Sequence, residues 1–97
     1  LGNIQLNRHL HQVHCDTKLM ELKPIGFNLL SILLENHPRP VSRSELCSKI
    51  WGDEPTESDA LRSHLYQLRK TLQQHGASVT VETQLGVGFA LKTESVS

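Results

Sequence analysis

The spacing of apolar residues changes along the chain, and each change marks a different kind of element. Between residues 3 and 22, "NIQL", "HQVHC" and "KLMEL" mix apolar and polar residues in rough alternation. That is the period of half-buried strands. "NR" and "DTK" break the pattern, and Asp16 suits a turn. A small antiparallel sheet is the simplest outcome. From Pro24 the period lengthens. Phe27, Leu30, Leu33 and Leu34 recur at three- and four-residue spacing, and Leu29 and Ile32 widen the stripe, so "PIGFNLLSILLEN" predicts a buried helix. Pro24 fits a first helical position, and Pro38 and Pro40 stop the helix because neither can continue it. Gly26 in the first turn weakens it by about 0.5–1 kcal/mol relative to Ala.

"VSRSELCSKIW" carries the clearest local signal. Ser42 and Glu45 form an S-x-x-E capping box, and Val41 and Leu46 are placed for a hydrophobic staple. Leu46, Cys47, Ile50 and Trp51 are expected on the core side, with Gly52 following. "GDEPTE" reads as a loop, after which Thr56 or Ser58 caps a third helix. That helix runs to about His75, with Gly76 as its stop. Leu61, Leu65, Leu68 and Leu72 advance by four, three and four, which makes one apolar stripe. Ser63, Gln67, Lys70 and Gln74 lie opposite it with Asp59 and Tyr66 near that face, Arg62 and Arg69 flank it on one side, and His64 and Thr71 on the other. "VTVETQLGVGFAL" reads as a hairpin: Val79 and Val81 alternate with polar residues, Gly86 and Gly88 give the turn its freedom, and Phe89 and Leu91 return to the core. The tail "KTESVS" is polar.

Strands, two helices, a loop, a third helix and a hairpin, in that order, make an α+β fold: a winged helix-turn-helix with a small N-terminal antiparallel sheet, three helices and a C-terminal β-hairpin wing. The expected division is one domain over residues 1–97. Within it, 1–22 form the N-terminal sheet, 24–76 the three-helix core with its third helix at about 58–75, and 78–92 the wing.

Composition narrows the function. Ninety-seven residues bury one core, and 37% apolar with 21% charged residues suits a globular chain. No apolar run approaches the roughly 20 residues of a membrane span. No signal-peptide pattern opens the chain, and a start at Leu1 rather than Met is expected of a piece of something longer. Cys15 and Cys47 read as a reduced pair, which fits a cytoplasmic location. In "HLHQVHC", strand alternation would put His9 and His11 on one face and His14 on the other, and no second cluster completes a ligand set, so no metal or other cofactor is expected. Asp59, Ser63 and His64 share one helix at a spacing that makes no catalytic triad. "GVG" sits in a hairpin rather than before a helix, so it is no phosphate loop. An enzyme is not expected.

The formal net charge is zero, which argues against strong, indiscriminate nucleic-acid binding. The charge is nevertheless patchy. Asp53, Glu54, Glu57 and Asp59 fall within seven residues, and Arg62, Arg69 and Lys70 follow on the third helix.

Four stretches in series resemble the OmpR/PhoB-type winged-helix DNA-binding domain, the output domain of two-component response regulators. "LKPIGFNLL" resembles that family's entry into its first helix, and "HPRPVSRSELCSKIWGDE" its second helix and the loop beyond. "LRSHLYQLRKTL" resembles its recognition helix, and "ETQLGVGFAL" its wing. They span about residues 19 to 91. The resemblance implies that the third helix lies in the major groove and that the wing, Gln84, Leu85, Gly86, Val87 and Gly88, reaches an adjacent minor groove. It implies that the loop of Gly52, Asp53, Glu54, Pro55, Thr56 and Glu57 faces RNA polymerase, and that two copies bind direct repeats of promoter DNA head to tail. It also implies an upstream receiver domain and a phosphorelay. A membrane-anchored regulator is the alternative setting.

A helix fits the major groove, where each base pair shows a distinct donor and acceptor pattern. Gln67 can pair with adenine, and Arg62 or Arg69 with guanine or phosphate. Tyr66 can donate to phosphate or pack on a thymine methyl, Lys70 suits phosphate, Ser63 can join either kind of contact, and His64 adds charge when protonated. The chain departs from the family at Tyr66 and Gln67, where basic residues are frequent, and at Leu85, where the wing often carries Arg. Lys23 and Gly26 replace the usual cap and Glu of the first helix. Leu85 and the neutral charge motivate the other reading, a winged helix used for protein contacts.

Overall fold

The computed structural model describes residues 2–52 and 58–93. Three short strands come first: β1 (Ile4–Asn7), β2 (Gln12–Cys15) and β3 (Lys18–Met20), paired antiparallel in the order β1-β2-β3. Alternation explains them, since Ile4, Val13, Cys15 and Met20 are buried while Gln5, Lys18 and Leu19 are exposed. Asp16 makes the expected β2–β3 turn at φ +57, and its N–H donates to the Asn3 carbonyl at 2.8 Å. The β1–β2 connection is longer than the sequence pattern suggests. It takes residues 8–11, with His11 at φ +50 and its ring 5.0 Å from that of Phe27. The side chain of Asn7 accepts the Leu10 N–H at 3.1 Å and stabilises this turn. His9 and His11 therefore sit in a turn, and the expectation that they share a strand face is corrected.

Helix α1 (Pro24–Asn36) has Pro24 at its first position and buries Phe27, Leu29, Leu30 and Leu33. Helix α2 (Arg43–Trp51) is capped by Ser42, whose Oγ accepts the Glu45 N–H at 3.1 Å. The Glu45 carboxylate reaches forward to Lys49 at 3.7 Å, so Ser42 supplies the working half of the capping box. Val41 and Leu46 are both buried, as a staple requires. Trp51, Cys47 and Ile50 are partly buried and pack against the core, on the side expected of them.

Helix α3 (Ser58–Gln74) already includes Ser58, and the expected cap at Thr56 lies outside the described residues. All four stripe leucines, Leu61, Leu65, Leu68 and Leu72, are buried. Gly76 ends the helix at φ +70. The Ala77 N–H donates to the Leu72 carbonyl at 2.9 Å and the Gly76 N–H to the Gln73 carbonyl at 3.1 Å, the two bonds of a Schellman motif.

The chain closes with β4 (Val79–Gln84) and β5 (Gly88–Thr93), an antiparallel hairpin in register Val81↔Leu91. Val41, in the connection between α1 and α2, bonds β5 as a one-residue third strand: its N–H donates to the Phe89 carbonyl at 2.7 Å, and the Phe89 N–H donates back at 2.8 Å. That contact ties the wing to the entrance of α2. The N-terminal sheet is tied to the far end of α3, where the Ser78 N–H donates to Asn3 Oδ1 at 2.7 Å and Cys15 Sγ donates to the His75 carbonyl at 3.2 Å. One cluster of buried side chains joins strands, helices and hairpin.

Candidate nucleic-acid interface

The leucine stripe pins α3 to the core by one side, so its other side is fixed in direction. Arg62, Ser63, Tyr66, Gln67 and Lys70 are all exposed there, Tyr66 at 57%. Seventeen helical residues make a rod about 25 Å long. From Ala60 to Gln74 that rod carries no carboxylate. The face offers two planar groups, the Gln67 amide and the Arg62 guanidinium, beside a hydroxyl, a phenol and an ammonium. Planar amide and guanidinium groups can make paired hydrogen bonds to base edges or phosphate.

Two of the sequence-expected residues also make contacts within the domain. Arg69 turns towards the wing: Nε donates to the Val81 carbonyl at 3.2 Å and Nη2 to Thr83 Oγ1 at 3.3 Å. His64 is half-buried, its ring 6.0 Å from that of Trp51 and inclined at 42°. It sits beside a cleft of about 330 Å³ shared by Ser63 and Gln67 with Lys23 and Gly26 at the start of α1.

A larger groove, about 400 Å³, runs between α3 and the wing. Leu61 and Leu65 give it an apolar floor. Arg62, Tyr66 and Arg69 from α3, Arg43 from α2, and Thr83 and Phe89 from the hairpin form its walls. Sequence reasoning missed Arg43 and Phe89 here. Arg43 reads as an ordinary first-turn residue and Phe89 as core, and only the Val41–Phe89 pairing, which brings α2 against the hairpin, puts both in the groove.

The wing turn holds Gln84, Leu85, Gly86, Val87 and Gly88 together. The Val87 N–H donates to the Gln84 carbonyl at 3.0 Å, and Gly86 has φ +76 at the turn position that demands it. Leu85 is 94% exposed and Val87 55%, so the tip is apolar. Gly52 ends α2 at φ +63 and is exposed, while Asp53, Glu54, Pro55, Thr56 and Glu57 lie outside the described residues. Among the described residues no group of three or more His, Cys, Asp or Glu side chains could hold a metal ion. No helix among them is long and apolar enough to cross a membrane.

Residues 16–91 match the family model described as transcriptional regulatory protein, C terminal. The heme response regulator HssR of Staphylococcus saprophyticus is 34% identical over 90 residues, 92% of this chain and 40% of that protein. The phosphate regulon transcriptional regulatory protein PhoB of Rhizobium meliloti is 32% identical over 93 residues, 95% of this chain and 41% of its own length. The chain thus spans about two-fifths of the curated relatives it matches. Among solved structures, the response regulator AdeR DNA-binding domain in complex with an intercistronic region superposes with a TM-score of 0.84 at 22% identity, over 96% of this chain and 97% of that one. The C-terminal domain of the nisin resistance regulator NsrR superposes with a TM-score of 0.76 at 29% identity, over 94% and 92%. This chain therefore belongs to the family of transcriptional regulatory protein C-terminal domains, the OmpR/PhoB-type winged helix that is the DNA-binding output domain of two-component response regulators.

Proposed function

We propose that residues 1–97 act as one winged-helix unit that binds promoter DNA sequence-specifically, with α3 in the major groove and the wing over an adjacent minor groove. The observation that carries this reading is the exposed face of α3, without a carboxylate from Ala60 to Gln74, held opposite a buried leucine stripe. Gln67 reads bases, Arg62 meets guanine or phosphate, and Lys70, Tyr66 and Ser63 set the register on phosphate. His64 supports the helix from its seat beside Trp51. The role is binding, not catalysis, and it is exercised in the cytoplasm, where the DNA is. A second copy on a direct repeat, an upstream receiver domain in a phosphorelay and a polymerase contact through residues 52–57 complete the reading.

Selection of sites from random duplexes tests it. The domain should enrich one motif, and Gln67→Ala should relax preference at a single position at a cost of about 1–3 kcal/mol. Failure to enrich any motif would remove base reading. The apolar wing tip favours one other reading, a winged helix used for protein contacts. A complex that buries α3 and is insensitive to salt would support that instead.

A further inference from the structure

We propose that Arg69 is a positioning residue: it fixes the wing to α3 and so sets the spacing between the major-groove and wing contacts, rather than reading a base. The inference rests on the DNA-binding reading above and assigns a different task to one residue of the same helix.

The hairpin has two edges. On one, β5 is bonded by Val41 through a pair of backbone hydrogen bonds. On the other, β4 has no strand partner among the described residues. An isolated two-stranded hairpin is marginal in water, and a free strand edge leaves backbone groups to be satisfied by something else. Arg69 supplies that partner. Its Nε meets the Val81 carbonyl and its Nη2 meets Thr83 Oγ1, so one planar fork spans two positions on the same side of β4. Thr83 immediately precedes Gln84, where the wing turn begins, so the fork grips the strand near its distal end. Buried Val79, Val81 and Leu91 seat the base of the hairpin on the core, so the fork acts on its outer part, towards Thr83. Held at both edges, the hairpin keeps a fixed distance from α3. Among the described residues Arg62, on the same wall of the groove, has no such bond to the wing. A lysine at position 69 would keep the charge but lose the fork.

Three variants test this: Arg69→Lys, Thr83→Val and the pair. Thr83→Val leaves every charge in place and removes a hydroxyl from an exposed position, so it tests the latch even if changes at Arg69 lower the yield of folded protein. Two readouts are taken on the selected duplex: base preference by competition with singly substituted sites, and backbone protection by hydroxyl-radical footprinting. Expected is an unchanged order of base preferences, loss of protection confined to the wing end of the footprint, and binding weaker by about 3- to 10-fold on every sequence alike. The double variant should be no worse than Arg69→Lys alone, because both act on one connection. General loosening of the fold would thin the footprint throughout, and that outcome overturns the proposal. So does relaxed preference at one base position with the wing protection intact, which would make Arg69 a reader. A wild-type domain that selects no motif overturns both this inference and the DNA reading, and that result needs no variant.

Discussion

Gly88 shows how much a single position can carry. It has φ +154, and a Cβ there would come within 2.1 Å of the Val41 carbonyl oxygen and 2.9 Å of Ser42 Cα. Backbone lies on that side, so nothing can rotate away. Gly86, two residues earlier, has φ +76 but meets nothing within 4 Å. The two glycines should separate in urea titrations. Gly86→Ala costs only the conformational term, about 1 kcal/mol, while Gly88→Ala adds the clash with the Val41 connection and costs about 2–4 kcal/mol. Equal midpoint shifts would mean that the close approach does not constrain the fold. Cys15 gives a pH-dependent counterpart. Burial, and secondarily the neighbouring Asp16 carboxylate, push its thiol above the ordinary value of 9.0. The folded state then favours the neutral thiol, which donates to the His75 carbonyl. Its contribution to stability is intact below 9.0 and falls as the unfolded chain ionises first. Cys15→Ala should lower stability overall yet flatten the decline in urea midpoint from about pH 8 to about pH 10. An unchanged decline would clear Cys15 of any part in it.

Helices were the most legible elements because each announces itself locally. The leucines of α3 repeat at helical spacing, Ser42 supplies a cap, and Gly76 supplies a left-handed stop; all three do in space what they promise in sequence. Gly26 is the local exception. It sits in the first turn of α1, whose preceding Lys23 makes no side-chain cap bond, and its nearest neighbours for a Cβ are Leu22 atoms at 4.0 Å. Nothing there demands glycine. Gly26→Ala should therefore raise stability by about 0.5–1 kcal/mol, seen as a higher denaturation midpoint with an unchanged slope. A loss of stability would reveal a crowding that the 4.0 Å contacts do not suggest. Elements that depend on distant partners were harder to read. Val41 is a strand of one residue, and a single residue has no period. The fork of Arg69 on Val81 and Thr83 joins positions twelve and fourteen residues apart on different elements, so from sequence Arg69 looks like one more cation on the face. His11 reads as strand because it alternates, but the turn at residues 8–11 took it. At the wing tip the reverse holds: Leu85 is conspicuous in sequence, and its 94% exposure keeps it so. Leu85→Arg adds a cation that can enter a narrow minor groove, and should steepen the salt dependence of binding by about 0.9 in log–log slope. An unchanged slope would place the tip away from DNA.

At the scale of the whole molecule, zero net charge and a cationic face lead to one expectation. Long-range attraction to DNA is weak when acids elsewhere cancel the field, so affinity must come from close contacts. The candidates for phosphate contact are few, chiefly Arg62 and Lys70 with Arg43 on the wall of the groove. Three phosphates correspond to a log–log salt slope of about −2.7 for a single domain. That is shallow, and a single domain on a single site should bind weakly. Two copies on a direct repeat should roughly double the slope and bind tighter than two independent events. The gain should depend on placing both copies on one face of the duplex, with half-sites about 10–10.5 base pairs apart. Inserting about five base pairs turns the second half-site to the opposite face and should abolish the gain while leaving each single-site affinity unchanged. Titration of the two duplexes at several salt concentrations measures both quantities. If the inserted spacing binds as tightly as the original, the copies do not cooperate. Specificity would then have to rest on α3 and the wing of one domain alone, with the Arg69 latch as the device that makes two short contacts act as one.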